Sequence, residues 1–507
     1  MSRLLRIVLR ASRTPLRPTS ILYRRAYTTS AAPPPSDDTS PSSSLLIPSY
    51  LAQADNSPTD PSSPRGNHKY AIDILEKHIK ISENGQEPFK VLFSTLRDAC
   101  KCPRCVDPHS KQRNFRTTDI PLNIKISECN HTAHGMEVRW TNDIAGYDES
   151  HISEYSFDYI FNPDYERYEM TTTGKLRERG LWNKAMLKKF QHWISYEDYM
   201  KDDEAFSAAM RRLARHGIIF LKDIPNSREL VEKIATRMGP LRNTFYGSTW
   251  DVRTVPEAKN VAYTNQFLNF HMDLMYMNQP PGFQLLHCLE NSCDGGESLF
   301  SDTFATAFYM YYAQRELFNA LTKFNLMYEY NHDQHRYSRK WPVFQTKEMR
   351  GKQPDSDSEI TIYRVNYSPP FQAPLTRHMI NQIRDDEVEI NFKALDFFAR
   401  RLESPEHVFE LKLKPGQCVI FENRRVAHAR RGFNTSEGRR WLAGAYVDDE
   451  DVISKFRELR KAYPDIWRTR EEKQREDARI SRCNGNDISR LLDPSKTAES
   501  LRNWWER

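Results

Sequence analysis

The sequence predicts a mainly β protein with flanking helices (α+β), in which a sandwich or barrel carries the main site. Strand-like apolar runs recur across residues 246–446, and only two helical patterns interrupt them. Many strands with few helices favour a sandwich or barrel over a doubly wound parallel sheet. At 507 residues the chain is also too long for one ordinary domain, so we expect a smaller β-rich domain ahead of the barrel.

The first 36 residues contain seven arginines and no acidic residue. An Arg-rich, Ser/Thr-containing, acid-free start is typical of a mitochondrial transit peptide, and the alternative is a disordered basic tail. We expect residues 1–30 to be a transit peptide, cleaved near Tyr27, and the mature protein to lie in the mitochondrial matrix. Residues 31–66 are rich in Pro, Ser, Asp and Thr, which predicts a disordered linker.

The positive net charge of +6 comes from the arginines of residues 1–36, because the rest of the chain has a net charge of about −1. The remainder therefore lacks the basic excess that nucleic-acid binding requires. No apolar run approaches the roughly 18 residues that a membrane span needs. We expect no nucleic acid among the partners and no membrane span.

The predicted elements divide the ordered part of the chain. Residues 67–185 form a small domain with strand-like runs at 122–126 and 136–140, and residues 190–465 form the main domain. A charged helical tail is predicted for 466–507. The predicted helices are 195–215, 226–238, 304–321 and 391–402. The predicted strands are 217–221, 260–263, 283–288, 360–365, 408–413, 418–421 and 441–446.

Three cysteines, Cys100, Cys102 and Cys105, lie within six residues of the small domain. In a reducing compartment such a cluster predicts a structural zinc site, which needs a fourth Cys or His ligand. Reactive or coincident thiols are the alternative. Spacing leaves several candidates for the fourth ligand open, namely His109, Cys129, His131, His134 and His151.

The main domain contains His271-x-Asp273. Side chains two apart on a strand point to the same side, so an imidazole and a carboxylate face one point. His428 follows an apolar strand and supplies a third candidate ligand. Two histidines and one carboxylate form the facial arrangement of non-haem Fe(II) oxygenases.

Such iron needs a bidentate electron donor to activate dioxygen, and 2-oxoglutarate is the cosubstrate that we expect. Its far carboxylate requires a fixed guanidinium, because arginine presents a planar fork that matches a carboxylate. Arg440 lies twelve residues after His428, at the start of the next predicted strand, and is the candidate. Ascorbate is the expected reductant.

With these motifs in place, the chain resembles the γ-butyrobetaine dioxygenase and trimethyllysine dioxygenase family of TauD/TfdA-like 2-oxoglutarate oxygenases over roughly residues 70–463. The segments that carry the resemblance are the cysteine cluster, 246–250, 260–264, 271–273, 281–288, 295–298, 423–428 and 440–446.

The resemblance implies a double-stranded β-helix (jelly-roll) catalytic domain preceded by a zinc domain. It makes His271, Asp273 and His428 the iron ligands, and it selects His151 as the fourth zinc ligand. It also implies that Arg440 and Asn260 contact 2-oxoglutarate. The positions that would form an aromatic cage around a trimethylammonium group are Tyr246, Trp250, Tyr263 and Tyr446.

We expect an Fe(II)- and 2-oxoglutarate-dependent dioxygenase that hydroxylates a small quaternary-ammonium substrate with dioxygen. γ-Butyrobetaine, the precursor of carnitine, is the first candidate, followed by trimethyllysine and by another substrate of an orphan member. Segments 329–352 and 364–370 depart from both relatives, which leaves the substrate open. The alternative of another class is an inactive oxygenase fold with a structural or interaction role in mitochondria. The relatives also imply a homodimer.

Overall fold

The computed structural model describes residues 70–83, 88–157, 160, 177–253, 265–332, 334–348, 360–375, 385–434, 436 and 438–468. The predicted transit peptide and linker lie outside them, as do Asn260, Tyr263 and the tail after residue 468. Contacts divide the chain into two units, Met1–Ala71 and Ile72–Arg507, and every element from β2 onward belongs to the second.

The strands of the described part, in chain order, are β1 Tyr70–Ile74, β2 His78–Glu83, β3 Phe89–Leu92, β4 Lys125–His131, β5 Gly135–Thr141, β6 Ser153–Ser156, β7 Trp193–Ser195, β8 Ile218–Lys222, β9 Thr249–Arg253, β10 Leu268–His271, β11 Phe283–Asn291, β12 Ser298–Asp302, β13 Asn325–Asn331, β14 Arg336–Pro342, β15 Phe344–Glu348, β16 Ile360–Val365, β17 Phe409–Leu411, β18 Cys418–Glu422, β19 Val426–Arg430 and β20 Arg440–Val447.

The α-helices of the same part are α1 Phe93–Asp98, α2 Lys184–Phe190, α3 Tyr196–Lys201, α4 Asp203–His216, α5 Leu230–Met238, α6 Thr303–Ala313, α7 Arg315–Lys323, α8 Asp385–Leu402, α9 Asp449–Ala462 and α10 Pro464–Trp467. Short 3₁₀ helices cover Thr117–Asp119 and Pro369–Phe371.

Two sheets form the main body. The larger has the strand order β7-β8-β18-β11-β20-β9, and the smaller has the order β10-β19-β12-β17. Apart from the parallel pair β7 and β8, the recorded strand pairs of both sheets are antiparallel. These two sheets form the predicted double-stranded β-helix with flanking helices.

Side chains alternate between two apolar layers along the strands of the larger sheet. On β18, Val419 and Phe421 join a core shared with Phe300 of the smaller sheet. Cys418 and Ile420 point the other way, into a core formed with α4, α5 and α9. This alternation is the period of two that a strand buried on both faces requires. A third core packs α6, α7 and α8 behind the smaller sheet.

The predicted helix 195–215 is divided into α3 and α4. The break falls at Asp202, whose carboxylate accepts hydrogen bonds from the backbone N–H groups of Glu204 and Ala205 and so caps α4. An aspartate that caps a helix adopts an extended backbone conformation, which ends the preceding helix. The predicted helix 304–321 is likewise divided into α6 and α7, at Gln314.

The turn between β18 and β19 holds several parts of the chain, and we call residues 422–425 the anchor turn. All four side chains bond to groups that are distant in the chain. Glu422 bonds to Arg177 and Arg179, and Asn423 bonds to the backbone of Asp273. Arg424 bonds to Gln345 and Asn366, and Arg425 bonds to Asp302. The exposed fraction of these four residues is 4% or less.

The ion pair of Arg425 with Asp302 is completely buried, since both side chains are 0% exposed. Arg425 also donates to the backbone carbonyls of Arg215 and Gly180, at 2.8 and 2.7 Å. Asp302 in turn accepts from the backbone N–H of Phe304 and so caps α6. Such a pair is well satisfied, and losing one charge leaves the other uncompensated.

Across the described ranges, every helix is too short or too polar to cross a bilayer.

We expect Asp302→Asn to lower the free energy of unfolding by about 3–5 kcal/mol, because the Arg425 charge would stay buried without its partner. Urea unfolding measures the change. Glu410→Gln is the matched control, since its pair with Arg431 is exposed and contributes less than about 1 kcal/mol. Equal losses in the two variants would contradict the role of the buried pair.

Candidate active site and metal centres

Strand pairing brings the two predicted histidine ligands together. His271 ends β10 and lies opposite His428 of β19 in the antiparallel register. Their ring centroids are 4.1 Å apart, although 157 positions separate them in the chain. Both side chains are nearly buried, with exposed fractions of 4% and 9%. The register of one strand pair therefore places both imidazoles at one point.

Asp273 completes the group through a tight turn after β10. Its Oδ1 lies 3.3 Å from Nε2 of His271 and 3.8 Å from Nε2 of His428. Nδ1 of His271 lies 2.7 Å from the carbonyl of Asn269, so it carries the proton and leaves Nε2 free as a ligand. The ligand atoms of all three residues lie within 4.8 Å of one another.

The charge state of this group suits a divalent metal. Burial raises the pKa of Asp273, but its contacts with His271, His428 and the Tyr446 hydroxyl outweigh it and bring the pKa to about 2. Burial lowers the pKa of His428 to about 3, and His271 acts in the same direction. At neutral pH the protein thus offers an ionised carboxylate and a neutral imidazole, which are the forms that bind metal.

Asn423 of the anchor turn holds the backbone of Asp273. Its amide oxygen accepts from the backbone N–H of Asp273 at 2.8 Å, and its amide nitrogen donates to the carbonyls of Asp273 and Pro281, both at 3.0 Å. The next residue, Leu274, has a φ of +57°, which is unfavourable for a side chain of this kind. The hydrogen bonds of Asn423 offset that strain and fix the turn.

A second connection reaches the segment that departs from the relatives. The backbone N–H of Met272 donates to the carbonyl of Tyr367 at 2.9 Å. The neighbouring Asn366 is completely buried, and its carbonyl accepts from the hydroxyl of Tyr328 at 2.9 Å. The turn that carries Asp273 is therefore bonded to segment 364–370.

Arg440 opens β20 and lines the same cavity as the three candidate ligands. It is buried, with 7% of its surface exposed, and within the described ranges it makes no salt bridge. Its guanidinium lies over the ring of Phe433, at 5.7 Å from the centroid. Burial lowers the pKa of Arg440 to about 10, which still leaves it charged at neutral pH. A buried cation of this kind fits an anionic ligand.

Gly296 makes room for that side chain. Its φ is +74°, and a Cβ at this position would lie 3.2 Å from Cδ of Arg440. Glycine adopts this backbone conformation without the steric cost that other residues meet. The second glycine of Gly295-Gly296, which follows β11, thus leaves space for the Arg440 side chain.

Aromatic rings form one side of the cavity, whose volume is about 80 Å³. Three of the predicted cage residues, Tyr246, Trp250 and Tyr446, line it. The rings of Trp250 and Tyr446 stack with centroids 3.9 Å apart. Trp250 lies directly over Gly444, where a Cβ would be 2.4 Å from the indole, so the stack requires glycine there. Tyr263 and Asn260 lie outside the described residues.

The cavity also has lining residues that the sequence did not single out, namely Tyr276, Gln284, Phe371 and Arg430. The Tyr276 hydroxyl is buried and interacts with the phenol of Tyr246. Tyr276 follows Asp273 by three positions in the sequence, and this short separation could have predicted that it lines the cavity. Gln284 lies in segment 281–288, which carries the family resemblance, whereas nothing local in the sequence marks Phe371 and Arg430.

The predicted zinc ligands also converge. Nε2 of His151 lies 3.7, 3.5 and 3.4 Å from the sulfur atoms of Cys100, Cys102 and Cys105. Cys100 and Cys105 lie in the segment that follows α1, and His151 precedes β6. In the described part of the chain, the other candidates for the fourth ligand do not join this group.

A buried network surrounds the cysteine cluster. Nδ1 of His151 lies 2.7 Å from Asp143, and Asp143 accepts a 2.6 Å hydrogen bond from the buried Arg97. Arg97 also donates to the sulfur of Cys105, at 3.3 Å. A carboxylate behind a histidine orients its other nitrogen toward a metal. The sequence did not point to Asp143 or Arg97, because neither lies within a ligand-like motif.

Two known protein families match the two regions of the chain that contain these residue groups. Residues 183–446 match the family described as taurine catabolism dioxygenase TauD, TfdA family, and residues 72–161 match the family described as gamma-butyrobetaine hydroxylase-like, N-terminal. The chain belongs to the TauD/TfdA dioxygenase family. As a member it is an iron- and 2-oxoglutarate-dependent dioxygenase, as the sequence predicted.

This TauD/TfdA-family dioxygenase is similar to proteins that are named as dioxygenases. It is 33% identical to dioxygenase str8 of Strobilurus tenacellus over 73% of this chain and 85% of that protein. It is 27% identical to trimethyllysine dioxygenase, mitochondrial, of Bos taurus, over 72% and 81% of the two chains. It is 28% identical to gamma-butyrobetaine dioxygenase of Homo sapiens, over 72% and 90%.

We expect Asn423→Ala to destabilise this dioxygenase by about 1–3 kcal/mol for each buried group left unpaired, because Asp273 and Pro281 would lose their partner. The free energy of unfolding in urea measures this. Asn325→Ala is the control, since Asn325 is exposed and bonds only to the nearby carbonyl of Lys323 in the described structure. A loss of unfolding free energy no larger than that of the control would contradict the stabilising role of the Asn423 hydrogen bonds.

Proposed function

We propose that this dioxygenase hydroxylates a C–H bond of a small trimethylammonium compound, with γ-butyrobetaine as the first candidate. The observation that carries the proposal is the aromatic face of Tyr246, Trp250 and Tyr446 in the same cavity as His271 and Asp273. A quaternary ammonium cannot donate hydrogen bonds, so aromatic faces are the groups that select it.

In this proposal His271, Asp273 and His428 hold Fe(II). The fit rests on the donor set: two imidazole nitrogens and one carboxylate oxygen converge within 4.8 Å. The bound metal and 2-oxoglutarate supply dioxygen activation, with decarboxylation of 2-oxoglutarate to succinate. The protein's residues fix the geometry and exclude water from the cavity.

Arg440 binds the far carboxylate of 2-oxoglutarate. This assignment is supported by the burial of the Arg440 guanidinium, which has no salt-bridge partner in the described structure. Gly296 and Phe433 pack against it and hold it in place. A bidentate contact with a carboxylate would satisfy this charge. Asn260 is a further proposed contact to the cosubstrate, on the resemblance alone.

The choice between γ-butyrobetaine and trimethyllysine follows from the polar groups of the cavity. Trimethyllysine carries an α-ammonium group that needs an acceptor. Among the described lining residues Asp273 is the one carboxylate, and it is assigned to iron. The segment 260–264 also resembles the γ-butyrobetaine enzyme more closely. Both considerations favour γ-butyrobetaine.

Three further parts of the proposal concern the setting of the enzyme. The Arg-rich start supports mitochondrial import, and a relative is named as mitochondrial. Ascorbate as reductant and a homodimer stay predictions that rest on the resemblance.

We expect succinate to form from 2-oxoglutarate in the presence of Fe(II), ascorbate and γ-butyrobetaine. Mass spectrometry of products over a panel of betaines and methylated lysines identifies the substrate. His271→Ala should lower turnover by more than about 100-fold, since it removes a proposed ligand. His109→Ala, an exposed histidine, is the control. If no compound stimulates turnover and His271→Ala leaves the basal rate unchanged, an inactive oxygenase fold is the better description.

We also propose that Cys100, Cys102, Cys105 and His151 hold a structural zinc ion. Four ligands of these types suit a closed tetrahedral site. Burial lowers the pKa of His151, but its hydrogen bonds to Asp143 and Cys100 outweigh this and raise the pKa to about 9. Zinc would displace this proton, so its affinity should fall as the pH is lowered.

Metal analysis of the purified protein should find one zinc per chain. Cys102→Ser should lose it, because the site would keep three ligands. Cys129→Ser is the matched control, since Cys129 lies in the same region but outside the cluster. Full zinc retention by Cys102→Ser would disprove the assignment.

A further inference from the structure

The hydroxyl of Tyr446 donates a 2.6 Å hydrogen bond to Oδ2 of Asp273. Tyr446 lies on β20 of the larger sheet, whereas Asp273 follows β10 of the smaller one. The tyrosine is 3% exposed, and a carboxylate oxygen only accepts, so the hydroxyl is the donor of this bond. This bond connects the two sheets at the metal site.

The two oxygens of Asp273 therefore have different surroundings. Oδ1 faces Nε2 of His271 and of His428, whereas Oδ2 is occupied by the tyrosine. A carboxylate that could turn freely would present either oxygen, or both, to a metal. With Oδ2 held, only Oδ1 points to the site between the histidines.

Asn423 does not perform this task, because it bonds to the backbone of Asp273 and leaves the side chain free to rotate. Apart from the two histidines, Tyr446 is the one described side chain that the structure places in hydrogen-bond contact with the Asp273 carboxylate. Carboxylate ligands are commonly oriented by such a partner, and losing it costs about 10- to 100-fold in metal affinity.

We propose that Tyr446 is a positioning residue of the metal centre, which fixes Asp273 so that a single oxygen faces the metal. This inference rests on the proposed iron site. It adds a second role to a residue whose ring also forms part of the aromatic face, stacked on Trp250 at 3.9 Å. The side chain that contacts the substrate thus also sets the geometry of a metal ligand.

The test compares Tyr446→Phe, which removes only the hydroxyl, with Trp250→Phe, which alters the aromatic face but no contact of Asp273. Anaerobic titration of each full-length protein with Fe(II), in the presence of 2-oxoglutarate, follows the visible absorption of the chelate. We expect Tyr446→Phe to bind Fe(II) about 10- to 100-fold more weakly than wild type. Trp250→Phe should keep the Fe(II) affinity and raise the KM for the ammonium substrate.

A second measurement, the melting temperature Tm with and without Fe(II), separates weaker metal binding from a failure of the variant to fold. Saturating Fe(II) should raise the Tm of wild type and Trp250→Phe more than that of Tyr446→Phe, because tighter binding stabilises the folded state more. Equal Fe(II) affinity in wild type and Tyr446→Phe would overturn the positioning role alone, since wild-type turnover would still support the proposed function. Absence of Fe(II) binding and turnover in wild type would overturn both.

Discussion

The anchor turn, residues 422–425, is the constraint on which the main domain depends. Its four consecutive side chains are all buried, and they bond to several parts of the chain that are far apart in sequence. Because β19 begins directly after this turn, its start is held against the larger sheet and against α6. The position of His428 follows, since it is the third residue of that strand.

The register of β10 against β19 then determines the geometry of the proposed metal site. A shift of one residue would turn the opposite side chain toward the cavity and separate His428 from His271. Burial of the site has two effects: it keeps His428 neutral, and it leaves the charge of Arg440 without a salt-bridge partner among the described residues. These groups are thus already desolvated and oriented by folding, before any ligand binds. This is the property of a preorganised site.

Local patterns predicted much of this structure. Apolar runs located strands such as β8, β11, β18 and β20, the His-x-Asp spacing pointed to two residues of the group around His428, and the cysteine cluster pointed to three of the residues around His151. What could not be predicted depends on partners far apart in the chain. Asn423 meets Asp273 across 150 residues, and Asp143 supports a histidine that spacing alone did not select. The division of helix 195–215 at Asp202 had a signal, an aspartate followed by an acidic turn, but helical periodicity masked it.

The bond between Met272 and Tyr367 involves only the main chain of both residues. The path of segment 364–370 therefore supports the ligand turn, whereas the identities of most of its side chains do not enter that contact. Exchanges of the less buried Pro369 and Pro370 should therefore leave that bond intact, whereas Asn366 also bonds to Arg424 of the anchor turn. Insertions or deletions there would instead move the main chain that holds the turn of Asp273, so changes to this segment should keep its length.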